Sequence, residues 1–293
     1  MTTTVVTRAR LDAELVRRGL ARSRQQAAEL IEQGRVAVRG VPAGKPATVV
    51  DRDVAVTVRD AGERDWASRG AHKLIGALDA FAVDITGLRC LDAGASTGGF
   101  TDVLLDRGAA EVVAVDVGYG QLIWRLQSDE RVRVHDRTNV RSLEPAAIGG
   151  EVAFTVADLS FISLRTVLPA LAVCTAPAGE LLPMVKPQFE VGRERLGAGG
   201  VVRSAALRVA ALTEVAAAAR ALGLVLRGAV ASPLPGPSGN VEYFLRLARS
   251  GSDAGDDVLA TAVEEGPVSE RSERTEGAAR PRSGRPSVSE GGR

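Results

Sequence analysis

The chain has little cysteine or histidine and no long apolar run. Two cysteines, Cys90 and Cys174, and two histidines occur among 293 residues, and their spacing gives neither a disulfide framework nor a zinc-binding pattern. No apolar segment has the length of a signal peptide or approaches the roughly 18 residues of a membrane span. The sequence therefore predicts a cytoplasmic protein with reduced, buried thiols, no bound metal and no membrane partner.

Lysine is scarce as well. Of the 37 basic residues, only Lys45, Lys73 and Lys186 are lysines. Arginine supplies a permanent positive charge but cannot lose its proton. Each remaining lysine is therefore a candidate for chemistry that needs a removable proton. Chance retention is the alternative, and the position of each lysine in the fold decides between the two.

The rest of the composition is that of a globular protein. Apolar residues make up 45% and charged residues 25% of the chain, and its length suits one domain of about 170 to 190 residues plus a smaller one. Charge is distributed unevenly, because residues 1–59 carry 11 basic and 6 acidic side chains whereas residues 250–293 carry 6 and 9. A basic N-terminal end is typical of a segment that contacts phosphates.

Residues 1–60 are predicted to form a small α+β module. Apolar spacing indicates one helix over 10–19 and a second that ends at Gly34, and Ser23 with Gln26 has the pattern of a capping box at the start of the second helix. Alternating valines then indicate short strands. Its arginines and Lys45 would form a basic face, although ordinary solvated helices also carry arginine.

The remainder of the chain divides into three segments. Residues 61–68 are predicted to be a linker whose Trp66 docks on one of the two domains. Residues 69–249 alternate strands with helices, which indicates a parallel, doubly wound α/β sheet with an added antiparallel strand. Residues 250–293 are rich in Gly, Ser, Glu, Arg and Pro and are expected to be disordered. The strands are predicted over 89–94, 111–117, 132–135, 152–158, 180–186, 224–231 and 243–248, and the clearest helix over 204–222.

Residues 91–100, Leu-Asp-Ala-Gly-Ala-Ser-Thr-Gly-Gly-Phe, place a carboxylate and a glycine-rich turn between a strand and a helix. Glycine lets the backbone approach a ligand closely, and a helix start offers free N–H groups. The pattern resembles motif I of S-adenosylmethionine-dependent methyltransferases, although an ordinary strand-to-helix turn is the alternative. The resemblance implies cofactor contacts from Asp92, Gly94, Ser96, Thr97, Gly98, Gly99 and Phe100.

Other carboxylates follow the next two strands. Ligands in open α/β sheets bind at the carboxyl ends of the strands. Asp116 could there accept hydrogen bonds from the cofactor's ribose, or it could be a helix N-cap. Asp136 is a candidate partner for the adenine or its ribose.

Asp158, Lys186 and Glu242 lie at the ends of later strands, and Lys73 opens the helix that enters this domain. Together they resemble the Lys-Asp-Lys-Glu tetrad of ribose 2′-O-methyltransferases with the FtsJ-like fold; surface salt bridges are the alternative. The strings Arg10-Leu11-Asp12, Ser23-Arg24, Gly34-Arg35-Val36 and Lys45-Pro46 resemble the S4 RNA-binding domain. The combination identifies the chain as a member of the TlyA (haemolysin A) family, with a Rossmann-like class I methyltransferase sheet behind an S4 domain.

That resemblance implies methyl transfer from S-adenosylmethionine to a cytidine 2′-oxygen in 16S rRNA, 23S rRNA or both, within ribosomal subunits. We expect the protein to be a monomer. Lys186 is the candidate proton acceptor, because desolvation and the nearby Lys73 ammonium would favour a neutral amine. Phe161 would stack on a base turned out of its helix, with Arg137 as a phosphate contact. Further RNA contacts are expected from Arg8, Arg10, Arg22, Arg24 and Lys45.

Three other functions compete with this one. The acceptor could be a small molecule or a protein, but then the basic N-terminal module would have no purpose. A membrane-lytic protein would need an amphipathic or membrane-spanning segment, which the sequence lacks. A non-catalytic RNA-binding factor would have no need for a complete tetrad.

Overall fold

The structure is a computed structural model that describes residues 8–32, 34–58, 64–236 and 238–267. The chain forms two compact units, Met1–Asp65 and Trp66–Arg293. The predicted linker is described only from residue 64 onward. Trp66 packs, partly buried, against an apolar cluster of the second unit, as expected of an indole that docks on one domain.

The first unit combines two helices and short strands around one small core. Leu11, Leu15, Ile31 and Val36 are almost fully buried in it. The elements are β1 (Arg8–Arg10), α1 (Leu11–Arg17), α2 (Arg24–Glu32), β2 (Val36–Val38), β3 (Val41–Pro42), β4 (Val49–Asp51) and β5 (Val56–Val58). β1 pairs with β4, and β2 pairs with both β3 and β5, all antiparallel. The predicted helices and valine strands are present, whereas β1 and β4, three residues each, were not predicted from the sequence.

The predicted capping box forms at the start of α2. Ser23 Oγ accepts a hydrogen bond from the Gln26 backbone N–H at 3.1 Å. Gln26 Oε1 in turn accepts one from the Arg22 N–H at 2.7 Å, one residue before the N–H that the usual motif binds. Two backbone donors at the helix start are thereby satisfied.

The second unit is built on a seven-stranded sheet. The strands are β6 (Arg89–Ala93), β7 (Glu111–Val115), β8 (Val132–His135), β9 (Val152–Ala157), β10 (Thr175–Val185), β11 (Val225–Ala231) and β12 (Tyr243–Ala248). They lie in the order β11-β12-β10-β9-β6-β7-β8. β6 to β10 pair in parallel, and β12 runs antiparallel to both β10 and β11. The predicted α/β sheet with one antiparallel strand is confirmed, and the antiparallel strand lies inside the sheet between β10 and β11.

Helices cover both faces of this sheet. The helices are α3 (Gly70–Ala80), α4 (Gly99–Asp106), α5 (Trp124–Gln127), α6 (Leu164–Cys174), α7 (Pro187–Glu190), α8 (Ala205–Ala221) and α9 (Asp257–Glu264). Alternate residues of β6 enter different clusters, since Cys90 packs with α3 and α4 while Leu91 packs with α6, α8 and α9, as the pleat of a strand requires. Predicted helix 204–222 matches α8, with Ser204 as its N-cap.

The expectation of disorder from residue 250 onward is wrong for residues 250–267. α9 buries Leu259, Ala262 and Val263 in the larger core cluster. Asp253 forms an ion pair with Arg220 of α8 at 2.8 Å. The polar composition of the whole stretch concealed one short apolar face, which packs on the sheet domain. The later part of the predicted tail, residues 268–293, lies outside the described residues.

Both cysteines are free and buried. Burial raises the pKa of the Cys90 thiol to about 12, with the nearby Asp92 adding to the shift, and raises that of Cys174 to about 11. In the described ranges, no group of three or more metal-ligating side chains is arranged to hold an ion, and no helix is both long and apolar enough to cross a membrane.

Candidate active site

The glycine-rich turn after β6 has a backbone that only small residues adopt easily. Gly94 and Gly98 have φ of 91° and 101°, in the left-handed region that favours glycine. A Cβ at Gly94 would lie 2.6 Å from the Asp158 carbonyl oxygen. The Gly94 and Ala95 N–H groups both donate to Val115 O, at 2.8 and 3.1 Å. The turn is therefore pressed against the ends of the neighbouring strands.

This turn forms one wall of a cavity of about 380 Å³, within the size range of small-molecule sites. Five of the residues predicted to contact a cofactor line it: Gly94, Ser96, Thr97, Gly99 and Phe100. Gly98 does not, because a Cβ there would run into Leu122 and Leu126 behind the turn. Gly98 is instead the N-cap of α4, so its role is to shape the turn.

Asp116 and Asp136 hold loops beside this cavity and are not part of its wall. Asp116 Oδ2 accepts from the Ser96 N–H at 2.8 Å and Oδ1 from the Gly118 N–H at 2.7 Å. Asp136 Oδ2 accepts from the Gly120 N–H at 2.8 Å. Asp116 thus touches the cavity wall through Ser96, and a role for either carboxylate toward a ribose or adenine stays a prediction.

Asp92 is fully buried behind the turn, so the expected direct contact with a cofactor is wrong for this residue. Its Oδ2 accepts from Thr101 Oγ1 at 2.7 Å, while Oδ1 has no hydrogen-bond partner in the described part of the chain. Burial raises the pKa of the Asp92 carboxyl to about 7, and the charges of Asp158 and Asp116 add to the shift. Apolar clusters cover both faces of β6, so the Asp92 carboxyl lies in the core.

The four tetrad residues meet as two ion pairs at the carboxyl edge of the sheet. Lys73 Nζ of α3 lies 2.5 Å from Glu242 Oε2, just before β12. Lys186 Nζ, after β10, lies 2.6 Å from Asp158 Oδ1, after β9. Lys73, Lys186 and Glu242 are buried, which excludes the alternative of surface salt bridges. The antiparallel β12 brings Glu242 to this edge because its start faces the ends of the parallel strands.

Ser160 is a contributor that the sequence interpretation missed. Lys186 Nζ donates a hydrogen bond to Ser160 Oγ at 3.0 Å, so Asp158 and Ser160 together orient the amine. The position of Ser160 two residues after Asp158 was a signal that could have found it, because both follow the end of the same strand.

A second cavity of about 540 Å³ adjoins the first. Ser160 and Lys186 line both cavities, so these two residues separate the neighbouring spaces. Phe161 stands at the second cavity with 92% of its surface exposed, and its ring centroid lies 5.4 Å from that of Phe189. Phe189 is half-buried, so the pair presents one exposed ring that suits stacking on a planar ligand.

Arg137 contacts a different aromatic residue. Its guanidinium lies 4.3 Å from the centroid of the Tyr119 ring, in the geometry of a cation–π contact. Both side chains are exposed. The structure therefore packs Arg137 against Tyr119, whereas Phe161 pairs with Phe189.

The basic residues of the first unit are partly neutralised within that unit. Arg10 and Arg24 both pair with Asp12 at 2.9 Å, which holds the pKa of that carboxyl well below its usual range, mainly through the Arg10 hydrogen bonds. Arg8 lies 3.3 Å from Asp51. The predicted contacts Arg22 and Lys45 are exposed.

Comparisons with known proteins assign the two units. The profile of the FtsJ-like methyltransferases matches residues 66–249, and that of the S4 domain matches residues 9–56. The fold and site thus define a methyltransferase domain joined to an S4 domain.

The 16S/23S rRNA (cytidine-2′-O)-methyltransferase TlyA of Mycobacterium tuberculosis is 62% identical over 265 residues, which cover 89% of this chain and 99% of that protein. The 23S rRNA (cytidine-2′-O)-methyltransferase TlyA of Campylobacter jejuni is 33% identical over 61% of this chain and 69% of its own length. A solved structure from Streptococcus thermophilus whose name refers to a hemolysin superposes with a TM-score of 0.69 at 36% identity, over 89% of this chain and 96% of its own. The chain belongs to the TlyA family of methyltransferases, which confirms the resemblance drawn from its motifs.

Proposed function

We propose that this chain transfers a methyl group from S-adenosylmethionine to the 2′-oxygen of a cytidine ribose in rRNA. The observation that carries the proposal is the position of Lys186, which lines both cavities. A donor in the smaller cavity and an acceptor in the larger one would approach each other there. The names of the M. tuberculosis and C. jejuni relatives supply the cytidine 2′-oxygen as the acceptor.

The residues around the smaller cavity fit S-adenosylmethionine. The backbone at Gly94 and Gly99 leaves no room for a side chain, since a Cβ at either would meet protein atoms. Ser96, Thr97 and Phe100 complete this side of the cavity, and together these residues would hold the cofactor. When bound, S-adenosylmethionine supplies an electrophilic methyl group on a sulfonium centre.

Lys186 accepts the proton of the ribose 2′-hydroxyl as that oxygen becomes the nucleophile. In the ion pair with Asp158 the Lys186 ammonium has no lone pair, so the amine must first release a proton to water before it can accept this one. An arginine in the same place would stay charged. Asp158 and Ser160 fix the direction of the amine by their contacts of 2.6 and 3.0 Å. After transfer, the Asp158 carboxylate stabilises the resulting ammonium, which later loses the proton to water.

Lys73 lines the donor cavity, and its partner Glu242 lines the acceptor cavity. The Lys73 ammonium, paired with the buried Glu242 carboxylate, is a fixed cation at the donor cavity that can attract a ribose or phosphate oxygen. Phe161 and Phe189 would hold the target base between the cavity and solvent. We place Arg137 on the adjoining surface as a phosphate contact.

The S4 unit would recruit the RNA. Arg22 and Lys45 are exposed, and the side chains of Arg8, Arg10 and Arg24 keep 73%, 50% and 59% of their surfaces in solvent. Such side chains bind phosphates without reading sequence. We propose ribosomal subunits as the partner, a monomer as the working state and the cytoplasm as the location.

Lysine-to-arginine variants test the proposal. We expect Lys186→Arg to abolish methyl transfer to purified ribosomal subunits as fully as Lys186→Ala, because charge alone does not accept a proton. Lys73→Arg should retain part of the activity. Incorporation of tritiated methyl groups, followed by mapping of 2′-O-methyl sites, measures both, and the conservative surface variant Arg107→Lys is the matched control.

Two outcomes would contradict the proposal. Substantial activity in Lys186→Arg would show that residue 186 is an electrostatic anchor and that the proton acceptor lies elsewhere. If the tritium label appeared in protein or in a small molecule and none appeared in rRNA, the methyl acceptor would be that molecule and not rRNA.

A further inference from the structure

One buried carboxylate joins the two chain segments that carry the reactive side chains. The first segment, residues 158–163, follows β9 and contains Phe161. The second is α7, which begins directly after Lys186 and contains Phe189. Glu190 is the last residue of α7, and only 3% of it is exposed.

Both carboxylate oxygens of Glu190 accept hydrogen bonds, one from the end of segment 158–163 and one from the first residue of α6. Oε2 accepts from Ser163 Oγ at 2.6 Å, and Oε1 accepts from the Leu164 N–H at 2.7 Å. Arg165 adds an ion-pair contact, with its Nε 3.4 Å from Oε2, and donates from Nη2 to the Glu190 carbonyl at 3.2 Å. The end of α7 is thereby fastened to the start of α6.

The fastened segment contains a strained residue. Phe161 has φ of +64°, which side-chain-bearing residues adopt rarely and keep only where surrounding contacts hold them. Its ring is 92% exposed, so packing of the ring contributes little beyond the contact with Phe189. The restraint therefore comes from the flanking residues. Ser160 before it is held by Lys186, and Ser163, Leu164 and Arg165 after it are held by Glu190.

We propose that Glu190 is a positioning residue that holds Phe161 at the mouth of the acceptor cavity. The inference rests on the proposed function, because the placement of Phe161 affects the rate only where a target base enters this cavity. Without the Glu190 contacts, the turn at Phe161 relaxes toward ordinary backbone angles and the ring leaves Phe189. The donor cavity, whose lining does not include Glu190, keeps its shape.

A double-mutant cycle tests the inference. Glu190→Gln keeps the shape of the side chain but removes the charge that the Ser163, Leu164 and Arg165 groups share. We expect Glu190→Gln and Phe161→Ala each to lower kcat/KM for ribosomal subunits by about tenfold or more, and the double variant to be within about threefold of Phe161→Ala alone. S-adenosylmethionine affinity, measured by calorimetry, should stay within about twofold of wild type.

Hydrogen exchange supplies a readout that does not depend on activity. Exchange at residues 161–165 should be faster in Glu190→Gln, because the Leu164 N–H loses a charged acceptor. Glu180→Gln is the matched control, since Glu180 is a partly buried glutamate on β10 that binds Arg246 away from the site; it should change neither exchange at 161–165 nor the rate.

The outcomes separate this inference from the proposed function. Multiplicative losses in the double variant, or unchanged exchange at residues 161–165, would overturn the role of Glu190. A wild-type protein that does not methylate ribosomal subunits would refute the proposed function, and the exchange measurement would still decide whether Glu190 restrains the segment.

Discussion

Replacing Asp92 by Asn removes an ionisable group from the core of the sheet domain while keeping its shape. The Asp92 carboxyl is fully buried, and its hydrogen bond to Thr101 satisfies one oxygen while the other has no partner among the described residues. An ionised carboxylate in this place is poorly solvated. The unfolded chain, by contrast, exposes the same group to water. Folding therefore favours the protonated form, and stability should depend on pH.

The size of this dependence follows from the shifted pKa. Burial raises the pKa from 3.8 to about 7, and at about 1.36 kcal/mol per unit this amounts to on the order of 4 kcal/mol. Between about pH 4 and pH 7 the folded state keeps a proton that the unfolded state has released, so stability falls as the pH rises. Above about pH 7 the whole cost is present.

The Asn variant does not titrate, and its amide N–H adds a roughly pH-independent cost of about 1–3 kcal/mol for an unsatisfied donor. We expect Asp92→Asn to be about as stable as wild type at pH 5, where the wild type has already lost about 2 kcal/mol through this titration. By pH 8 the difference should move in favour of the variant by on the order of 3 kcal/mol. Urea unfolding followed by tryptophan fluorescence reports the correct unit, because Trp66 and Trp124 both lie in the second unit.

Asp79→Asn is the control, because Asp79 is an exposed aspartate paired with Arg107. Its stability difference from wild type should vary little over the same pH range. If the difference between Asp92→Asn and wild type were also constant from pH 5 to pH 8, Asp92 would not titrate differently in the folded and unfolded states. The reasoning from its burial would then be refuted.

Two further variants test the donor and RNA sites. Gly98→Val should abolish S-adenosylmethionine binding in calorimetry and lower the unfolding temperature, because φ is +101° at Gly98 and the new side chain meets Leu122 and Leu126. Wild-type affinity would contradict this. Arg24→Glu together with Lys45→Glu should weaken binding to ribosomal subunits and reduce its salt dependence by about one unit of slope per lost phosphate contact, while donor binding is unchanged. Undiminished methylation at limiting enzyme would exclude a role of these two residues in RNA binding.

The sheet was largely predictable because its strands are short apolar runs between clear turn signals. Strands over 111–115, 132–135 and 243–248 lie within two residues of their predicted bounds. β10 begins five residues earlier than predicted, at Thr175, where the pairing with β9 shifts register. Pro177 and Gly179 in this part of the strand are residues typical of loops, so the local sequence predicted too late a start for β10.

The site residues that follow strand ends could be predicted from the sequence. Those whose burial or partners depend on distant parts of the chain could not. Lys73, Asp158, Lys186 and Glu242 meet as their positions in the alternation of strands and helices implied. The burial of Asp92 was not visible, because the same motif places a carboxylate either in the core or toward a ligand. Ser160 and Glu190 act through contacts with residues 25 or more positions away, and no local pattern encodes such partners.

The insertion of β12 between β10 and β11 has a consequence for the order in which the chain can assemble. β11 is made before β12 but has no neighbour in the sheet until β12 arrives, so the sheet cannot be completed progressively from its N-terminal strands. The Lys73–Glu242 pair spans 169 positions, and contacts of such separation form late because the intervening chain must first be ordered. A nascent chain that has not reached β12 therefore lacks the carboxylate that pairs with Lys73, and the active site is finished only when the sheet domain itself is finished.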